Sequence, residues 1–288
     1  MACLLLRRLP DGESHRRHAV NPLGIECLST FGLHPVELIR LTSELGCSHV
    51  TLNLGRAANR LPIYPEISFR DDPVLQREMK AALADSNVTI GMIEGFAILP
   101  DNRAEDFARD LDMVAGLGAR AICTVSMERD VERTHAEFAR LTELAAARGL
   151  VTTTELGAGA LRRLDKARAA LAAVAHPSFK LLVDTMHFFR FGGTVADFAA
   201  LDPAVIGHIQ LNDVPMPALI DDYLQEALHE RRAPGDGDLP LADFLRHVPA
   251  GVIVGLEVPI RSEAEAGIGP RERLGRCVAQ AQALMQGE

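Results

Sequence analysis

The sequence is poor in aromatic residues, with no tryptophan and two tyrosines. Ligand recognition by stacking on aromatic rings is therefore not indicated. The sequence also lacks a run of about 18 apolar residues, the length that a membrane-spanning helix requires. The apolar stretch in MACLLLRRLP is too short for a signal peptide. We therefore expect no membrane association.

Several functional motifs are missing as well. The sequence contains no GxGxxG after its first strand candidate, no P-loop, no GxSxG and no HExxH, which argues against dinucleotide binding and against nucleophilic hydrolysis. The net charge is −9 and no Lys/Arg cluster is present, so nucleic acid is not an expected partner. Five cysteines without a CxxC pair predict reduced thiols in a cytoplasmic protein.

Short apolar segments alternate eight times with longer amphipathic segments. The predicted strands are 24–29, 48–54, 88–95, 121–127, 150–156, 179–185, 205–212 and 252–258. The predicted helices are 34–46, 73–86, 103–116, 130–148, 161–175, 194–201, 239–247 and 270–286. Such alternation predicts a parallel sheet, and eight units in this length favour an α/β fold of the (β/α)8 TIM-barrel type. We assign residues 21–288 to one barrel domain and residues 1–20 to a loosely ordered extension.

Polar residues lie at the ends of the last four predicted strands, where the active sites of such barrels are found. They are Glu155 in TTTELGAG, Asp184 in LLVDTMHFF, Gln210 in GHIQLND and Glu257 in VGLEVP. The segment GHIQLND also alternates polar and apolar residues, so that one face of a core strand is wholly polar. Burying such a face without partners costs free energy, which indicates that it binds something.

Three carboxylates in one cavity repel one another, and a divalent cation removes that repulsion. Oxygen ligands favour Mn²⁺ or Mg²⁺, with Co²⁺ or Zn²⁺ as alternatives. We therefore predict one divalent metal ion bound by Glu155, Asp184, Gln210 and Glu257. The roles of two other polar residues stay open. His208 is either a core residue or a site residue, and Glu94 either lines the pocket or forms a surface ion pair. Asp213 points to the opposite face and is a candidate for capping the following loop.

The pieces TELG, VDTMHFFRFGG, GHIQLND, RRAPGDGDLPL and LEVP occur in this order between about residues 23 and 286. Together they resemble the xylose-isomerase-like TIM barrels, which include sugar phosphate isomerases and epimerases. The resemblance implies the same four metal ligands. It also implies substrate binding by His187 and by Arg231 or Arg232, and we add His208 as a further candidate. Gln210 is similar to the glutamine of hydroxypyruvate isomerases, whereas most ketose epimerases have histidine there.

The predicted function is that of a metal-dependent isomerase or epimerase acting on a small polyol or keto-sugar. Glu155 and Glu257 would be the catalytic residues, one removing a proton beside a carbonyl and the other returning it through an enediolate. The insertion MPALIDDYLQEALHE would form a lid. One alternative is a dehydratase of the inosose or 3-dehydroshikimate type, and another is a non-catalytic binding barrel. Barrels that the sequence resembles often form homodimers.

Overall fold

Eight parallel strands close into a barrel in which each strand pairs with its neighbours in sequence and the last strand pairs with the first. The computed structural model describes residues 21–157 and 159–287, so the predicted extension at residues 1–20 lies outside the described residues. The strands are β1 (Leu23–Ile25), β2 (His49–Asn53), β3 (Thr89–Ile98), β4 (Ala121–Ser126), β5 (Val151–Leu156), β6 (Phe179–Asp184), β7 (Ile206–Leu211) and β8 (Ile253–Leu256). The predicted (β/α)8 TIM-barrel fold is confirmed.

Helices follow the strands around the outside of the barrel. They are α1 (Pro35–Glu44), α2 (Pro73–Ser86), α3 (Ala108–Gly116), α4 (Val131–Ala146), α5 (Leu164–Val174), α6 (Thr185–Arg190), α7 (Val195–Ala199), α8 (Tyr223–His229), α9 (Leu241–Leu245), α10 (Arg261–Glu265) and α11 (Pro270–Gln286). Several helices begin at a capping side chain. Asp72, for example, accepts hydrogen bonds from the backbone of Val74 and Leu75 at the start of α2. In the part of the chain that the structure describes, no helix is long and apolar enough to cross a membrane.

Apolar side chains form two layers. The larger one packs the outer face of the strands against the helices. The smaller one fills the inside of the barrel with Met92, Cys123 and Leu182. Because side chains alternate along a strand, the residues two positions after Met92 and Leu182 also face inward, in the middle of β3 and at the carboxyl end of β6. These residues are Glu94 and Asp184, so the packing of the barrel interior directs both carboxylates into its mouth.

The structure corrects the predicted elements in four places, one of which is the short helix α10 at Arg261–Glu265, where no helix was predicted. The first strand ends at Ile25, because residues Cys27–Thr30 turn in a 3-10 helix and the Ser29 hydroxyl bonds the backbone of β8 instead. Residues 185–190 form helix α6, which was not predicted. The apolar run TMHFFR gave no helical signal that would separate it from the preceding strand. The predicted lid insertion contains helix α8, which begins where Asp222 accepts hydrogen bonds from the backbone of Leu224 and Gln225.

Candidate metal centre

Six polar side chains from six strands point into the mouth of the barrel. They come from β3, β5, β6 and β7 and from the positions directly after β1 and β8, and they are Glu26, Glu94, Glu155, Asp184, Gln210 and Glu257. Asp184 lies directly across from Gln210 in the register between β6 and β7. The four residues predicted as metal ligands are therefore brought to one end of the barrel, together with two further glutamates.

Glu155, Asp184 and His187 form the first group of candidate ligands, with one ligand atom of each within 4.8 Å of the others. Helix α6 explains the position of His187. Asp184 is its N-terminal cap, and its Oδ1 accepts a hydrogen bond from the His187 backbone at 2.9 Å. The helical turn then places the His187 Nε2 atom 3.1 Å from the Glu155 Oε1 atom.

Glu26, Glu94 and Glu257 form the second group, whose ligand atoms also lie within 4.8 Å of one another. The Gln210 amide nitrogen is 3.2, 2.9 and 3.0 Å from oxygens of Glu26, Glu94 and Glu257. An amide nitrogen carries two hydrogens and so cannot donate fully to three carboxylates. Turning the amide over would direct its oxygen to the same point, and the resulting set of four oxygens suits a hard divalent cation.

Arg231 is the cation that joins the two groups. Its Nη1 atom is 2.5 Å from the Asp184 Oδ2 atom and 2.8 Å from the Glu257 Oε2 atom, and its side chain is buried. Arg232 differs: its side chain is exposed, and its backbone pairs with Asp213. Of the two arginines predicted to reach the substrate, the structure thus places Arg231 in the site and Arg232 on the outer surface.

The buried carboxylates differ in their electrostatics. Burial raises the pKa of Glu94 to about 8, and the neighbouring Glu26 and Glu155 add to this rise. Burial likewise raises the pKa of Glu257 well above its usual value, although Arg231 opposes the shift. Burial works against the charge of Asp184 too, but the Arg231 guanidinium and the hydrogen bond from the His187 backbone keep the pKa of that carboxyl below its ordinary range. Asp184 is therefore the carboxylate whose charge the protein itself stabilises.

The donor set fits a divalent metal ion. Five carboxylates meet in the mouth, while Arg231 is the arginine that pairs with them among the described residues. A cation at the edge of either group would compensate the excess negative charge. The oxygen-rich second group and the carboxylates of Glu155 and Asp184 match Mg²⁺ or Mn²⁺, and Zn²⁺ or Co²⁺ also accept carboxylate oxygens.

The structure also places the residues that the sequence left open. His208 lies one step deeper in the barrel, and its Nε2 atom is 2.8 Å from the Glu26 Oε1 atom. Its substrate-binding role stays a prediction. Glu94 is part of the second carboxylate group and contacts Gln210. Asp213 accepts hydrogen bonds from the backbone of Gly235 and Leu239, which confirms the predicted loop cap.

Sequence reasoning missed Glu26 and Tyr223. Glu26 directly follows the first strand within GIECLS, the same position relative to its strand that Glu257 occupies, so the strand-end rule could have found it. Tyr223 lies in the insertion after β7, and its hydroxyl oxygen is 2.5 Å from the His187 Nδ1 atom. No sequence signal indicated that contact, because it depends on how α8 folds back over α6.

We expect the Gly255→Ala substitution to damage the second carboxylate group. A Cβ at Gly255 would lie 1.6 Å from the Glu26 Oε1 atom and 2.9 Å from the His208 Nε2 atom, both buried. The side chains must move, at a cost of about 1–3 kcal/mol. Thermal unfolding should show this loss, whereas Gly116→Ala, where nothing lies within 4 Å of the new Cβ, should be neutral or slightly stabilising. Equal stability of the two variants would contradict the packing described.

The sequence matches a family model that is described as the xylose isomerase-like TIM barrel, over residues 37–275. Since the match covers most of the chain, the protein belongs to this family, as the sequence resemblance predicted. A comparison with curated proteins found no match of comparable significance.

Solved structures show the same fold. The IolI protein with a bound zinc atom superposes with a TM-score of 0.71 at 14% identity, covering 92% of this chain and 97% of that chain. A fusion protein of a xylose isomerase-like TIM barrel and a 4-hydroxyphenylpyruvate dioxygenase gives 0.68 at 21% identity and covers 87% of this chain. The match covers 42% of that chain, so the protein spans about two fifths of the fusion protein's length.

Two further matches are proteins whose names refer to different reactions. D-allulose 3-epimerase from Methylomonas sp. gives a TM-score of 0.67 at 13% identity, covering 92% of this chain and 98% of that chain. The probable 3-DHS dehydratase AsbF from Bacillus anthracis gives 0.68 at 16% identity, covering 91% and 98%. At these identities the likeness establishes the fold, and the reaction has to be argued from the site itself.

Proposed function

We propose that the protein is a divalent-metal-dependent isomerase or epimerase of a small keto-sugar or hydroxy-carbonyl compound. The observation that carries this proposal is the convergence of five carboxylates from five strands on one barrel mouth. Such an excess of acidic groups is costly in a structural role, because buried charges without partners destabilise the fold. It is the arrangement expected of a metal-binding active site.

Glu155, Asp184, Gln210 and Glu257 would hold the metal, with Glu26 and Glu94 adjoining Gln210. A divalent cation bound there supplies Lewis-acid stabilisation for negative charge that develops on a substrate carbonyl oxygen. Mn²⁺ or Mg²⁺ suits the oxygen donors, with Co²⁺ or Zn²⁺ as alternatives.

Glu155 is proposed as the residue that removes the proton beside the carbonyl. Its side chain is 18% exposed, against 6% for Glu257 and none for Asp184, so a substrate entering the mouth reaches it more easily than either of these carboxylates. His187 contacts the Oε1 atom of Glu155 and so fixes the orientation of that carboxylate. The second oxygen of Glu155 remains available to accept the proton.

Glu257 is proposed as the residue that returns the proton. It lies directly after β8, with β6 and β7 between it and Glu155, so the two glutamates enter the mouth of the barrel from different sides. Return of the proton to a neighbouring carbon gives isomerisation, and return to the opposite face of the same carbon gives epimerisation. Arg231 pairs with both Asp184 and Glu257 and so reduces the electrostatic repulsion between these two carboxylates.

A dehydratase is the second candidate, because the same proton removal can be followed by loss of a β-hydroxyl group. The observation that favours it is Glu94, which lies beside Glu257 and Glu26 and contacts the Gln210 amide. A carboxylic acid in that position could protonate a leaving hydroxyl group.

The test is solvent exchange. The Mn²⁺-loaded protein would be incubated in deuterated water with a panel of ketoses, hydroxypyruvate and cyclic polyols, and products would be followed by NMR and mass spectrometry. Deuterium at the carbon beside the carbonyl with unchanged connectivity supports the isomerase, and loss of water supports the dehydratase. A ligand that binds to the metal-loaded protein without exchange at any carbon would identify a binding barrel and overturn the proposal.

A further inference from the structure

The insertion between β7 and α9 is fastened to the barrel at both ends. Arg190 of α6 pairs with Glu226 of α8 at 2.6 Å and donates to the Pro215 carbonyl at 2.7 Å. Both partners of the ion pair are largely buried, with side chains 10% and 2% exposed. At the other end, the Glu230 carboxylate accepts from the backbone and hydroxyl of Ser262. Helix α8 therefore has a defined position over α6.

This position brings the first residue of α8 to the active site. The Tyr223 hydroxyl oxygen is 2.5 Å from the His187 Nδ1 atom. The ring packs against Phe191, with ring centroids 5.2 Å apart, and against the His187 imidazole at 5.6 Å. The hydroxyl thus reaches His187 from a rigid, partly buried ring, and that contact comes from outside the repeating strand–helix units.

The other side of His187 is equally constrained. Gly157 adopts a φ of +109°, and a Cβ there would lie 2.4 Å from the His187 Cβ atom. The backbone after β5 therefore packs directly on the base of the His187 side chain and fixes where that side chain begins. Its Nε2 atom faces the Glu155 Oε1 atom at 3.1 Å, and Nδ1 faces Tyr223.

The two contacts determine where the imidazole proton lies. A carboxylate only accepts hydrogen bonds, so the favourable arrangement puts the hydrogen of a neutral imidazole on Nε2, pointing at Glu155. Nδ1 is then an acceptor, and the Tyr223 hydroxyl is its donor. Burial raises the pKa of Tyr223, and Asp184 and Glu155 add to this rise, so the phenol keeps the hydrogen that it donates.

We propose that Tyr223 is a positioning residue that sets the tautomer of His187 and, through His187, the orientation of the Glu155 carboxylate. The role for Glu155 in catalysis rests on the proposed function, but the hydrogen-bonded chain Tyr223–His187–Glu155 does not. The same logic operates where histidines at metal centres have their second ring nitrogen fixed by a partner, and loss of that partner typically costs about 10- to 100-fold in activity or affinity.

The first arm of the test needs no substrate. Histidine nitrogens would be labelled and their chemical shifts measured in the wild type, Tyr223→Phe and Tyr64→Phe, with His187→Gln to assign the His187 signals. Phenylalanine keeps the ring contacts and removes the hydroxyl, and Tyr64 is the chain's other tyrosine. We expect wild-type His187 to carry its hydrogen on Nε2, and Tyr223→Phe alone to disturb this pattern. A hydrogen on Nδ1 in the wild type, or an unchanged pattern in Tyr223→Phe, would overturn the inference.

The second arm is a double-mutant cycle on the rate of solvent exchange. Tyr223→Phe should lower kcat by about 10- to 100-fold with little change in KM, and should have no further effect in the His187→Gln background. A full effect of Tyr223→Phe without His187 would show that the tyrosine acts by another route. If the wild type catalyses no exchange, the proposed function fails, while the nitrogen shifts still decide the role of Tyr223.

Discussion

Replacing Glu155 with glutamine is expected to slow proton removal from the substrate by about 10²–10⁴-fold, the usual contribution of a positioned base. Glutamine keeps the size of the side chain and an oxygen for a metal, but it cannot accept the proton. Glu155 is also the most exposed of the paired carboxylates in the mouth. The measurement is the rate of deuterium incorporation at saturating Mn²⁺, in the wild type and the variant.

Glu78→Gln is the matched control for this experiment, because Glu78 is an exposed residue of α2 on the outside of the barrel. Its exchange rate should equal that of the wild type. An exchange rate in Glu155→Gln that is also close to the wild-type value would remove Glu155 from the catalytic step and require another base in the mouth.

Replacing Arg231 with methionine is expected to lower the free energy of unfolding by about 3–5 kcal/mol. The guanidinium contacts both Asp184 and Glu257, and all three side chains are buried. Removing it leaves two carboxylates in a low-dielectric interior without their cation. These carboxylates must then be protonated or become solvated. Urea denaturation in the presence of a chelator measures the change without a contribution from bound metal.

The adjacent Arg232 provides the control. Its side chain is exposed and pairs with no acidic group among the described residues, so Arg232→Met should change the stability by no more than about 0.5 kcal/mol. The two variants, one position apart, then compare a buried, paired arginine with an exposed, unpaired one among the described residues. If Arg231→Met is as stable as Arg232→Met, the bridge between Asp184 and Glu257 contributes nothing to the fold, and the electrostatic description of the site is wrong.

The sequence predicts the barrel because its signals are local. Strand β5 and helix α2, for example, are found from the residues within them, and the alternation of such segments determines the fold class. The three missed helices, α6, α8 and α10, show the limit of local signals. Helix α8 reads as part of a polar insertion, and its position depends on the ion pair between Arg190 and Glu226, which lie far apart in the sequence.

The candidate site divides in the same way. Glu155, Asp184, Gln210 and Glu257 can be found from the rule that active sites lie at strand ends. Their partners cannot, because partnership depends on distances across the barrel. Local sequence shows neither that Arg231 enters the mouth while Arg232 stays outside, nor that Gln210 faces three glutamates.

The most direct test of the account is the metal content of the purified protein, measured by elemental analysis for the wild type and for Glu257→Ala. The account predicts about one equivalent of Mn, Mg, Co or Zn in the wild type, as expected for a single catalytic centre, and its loss in the variant. No metal in the wild type, even after incubation with Mn²⁺, would contradict the isomerase and the dehydratase proposals together.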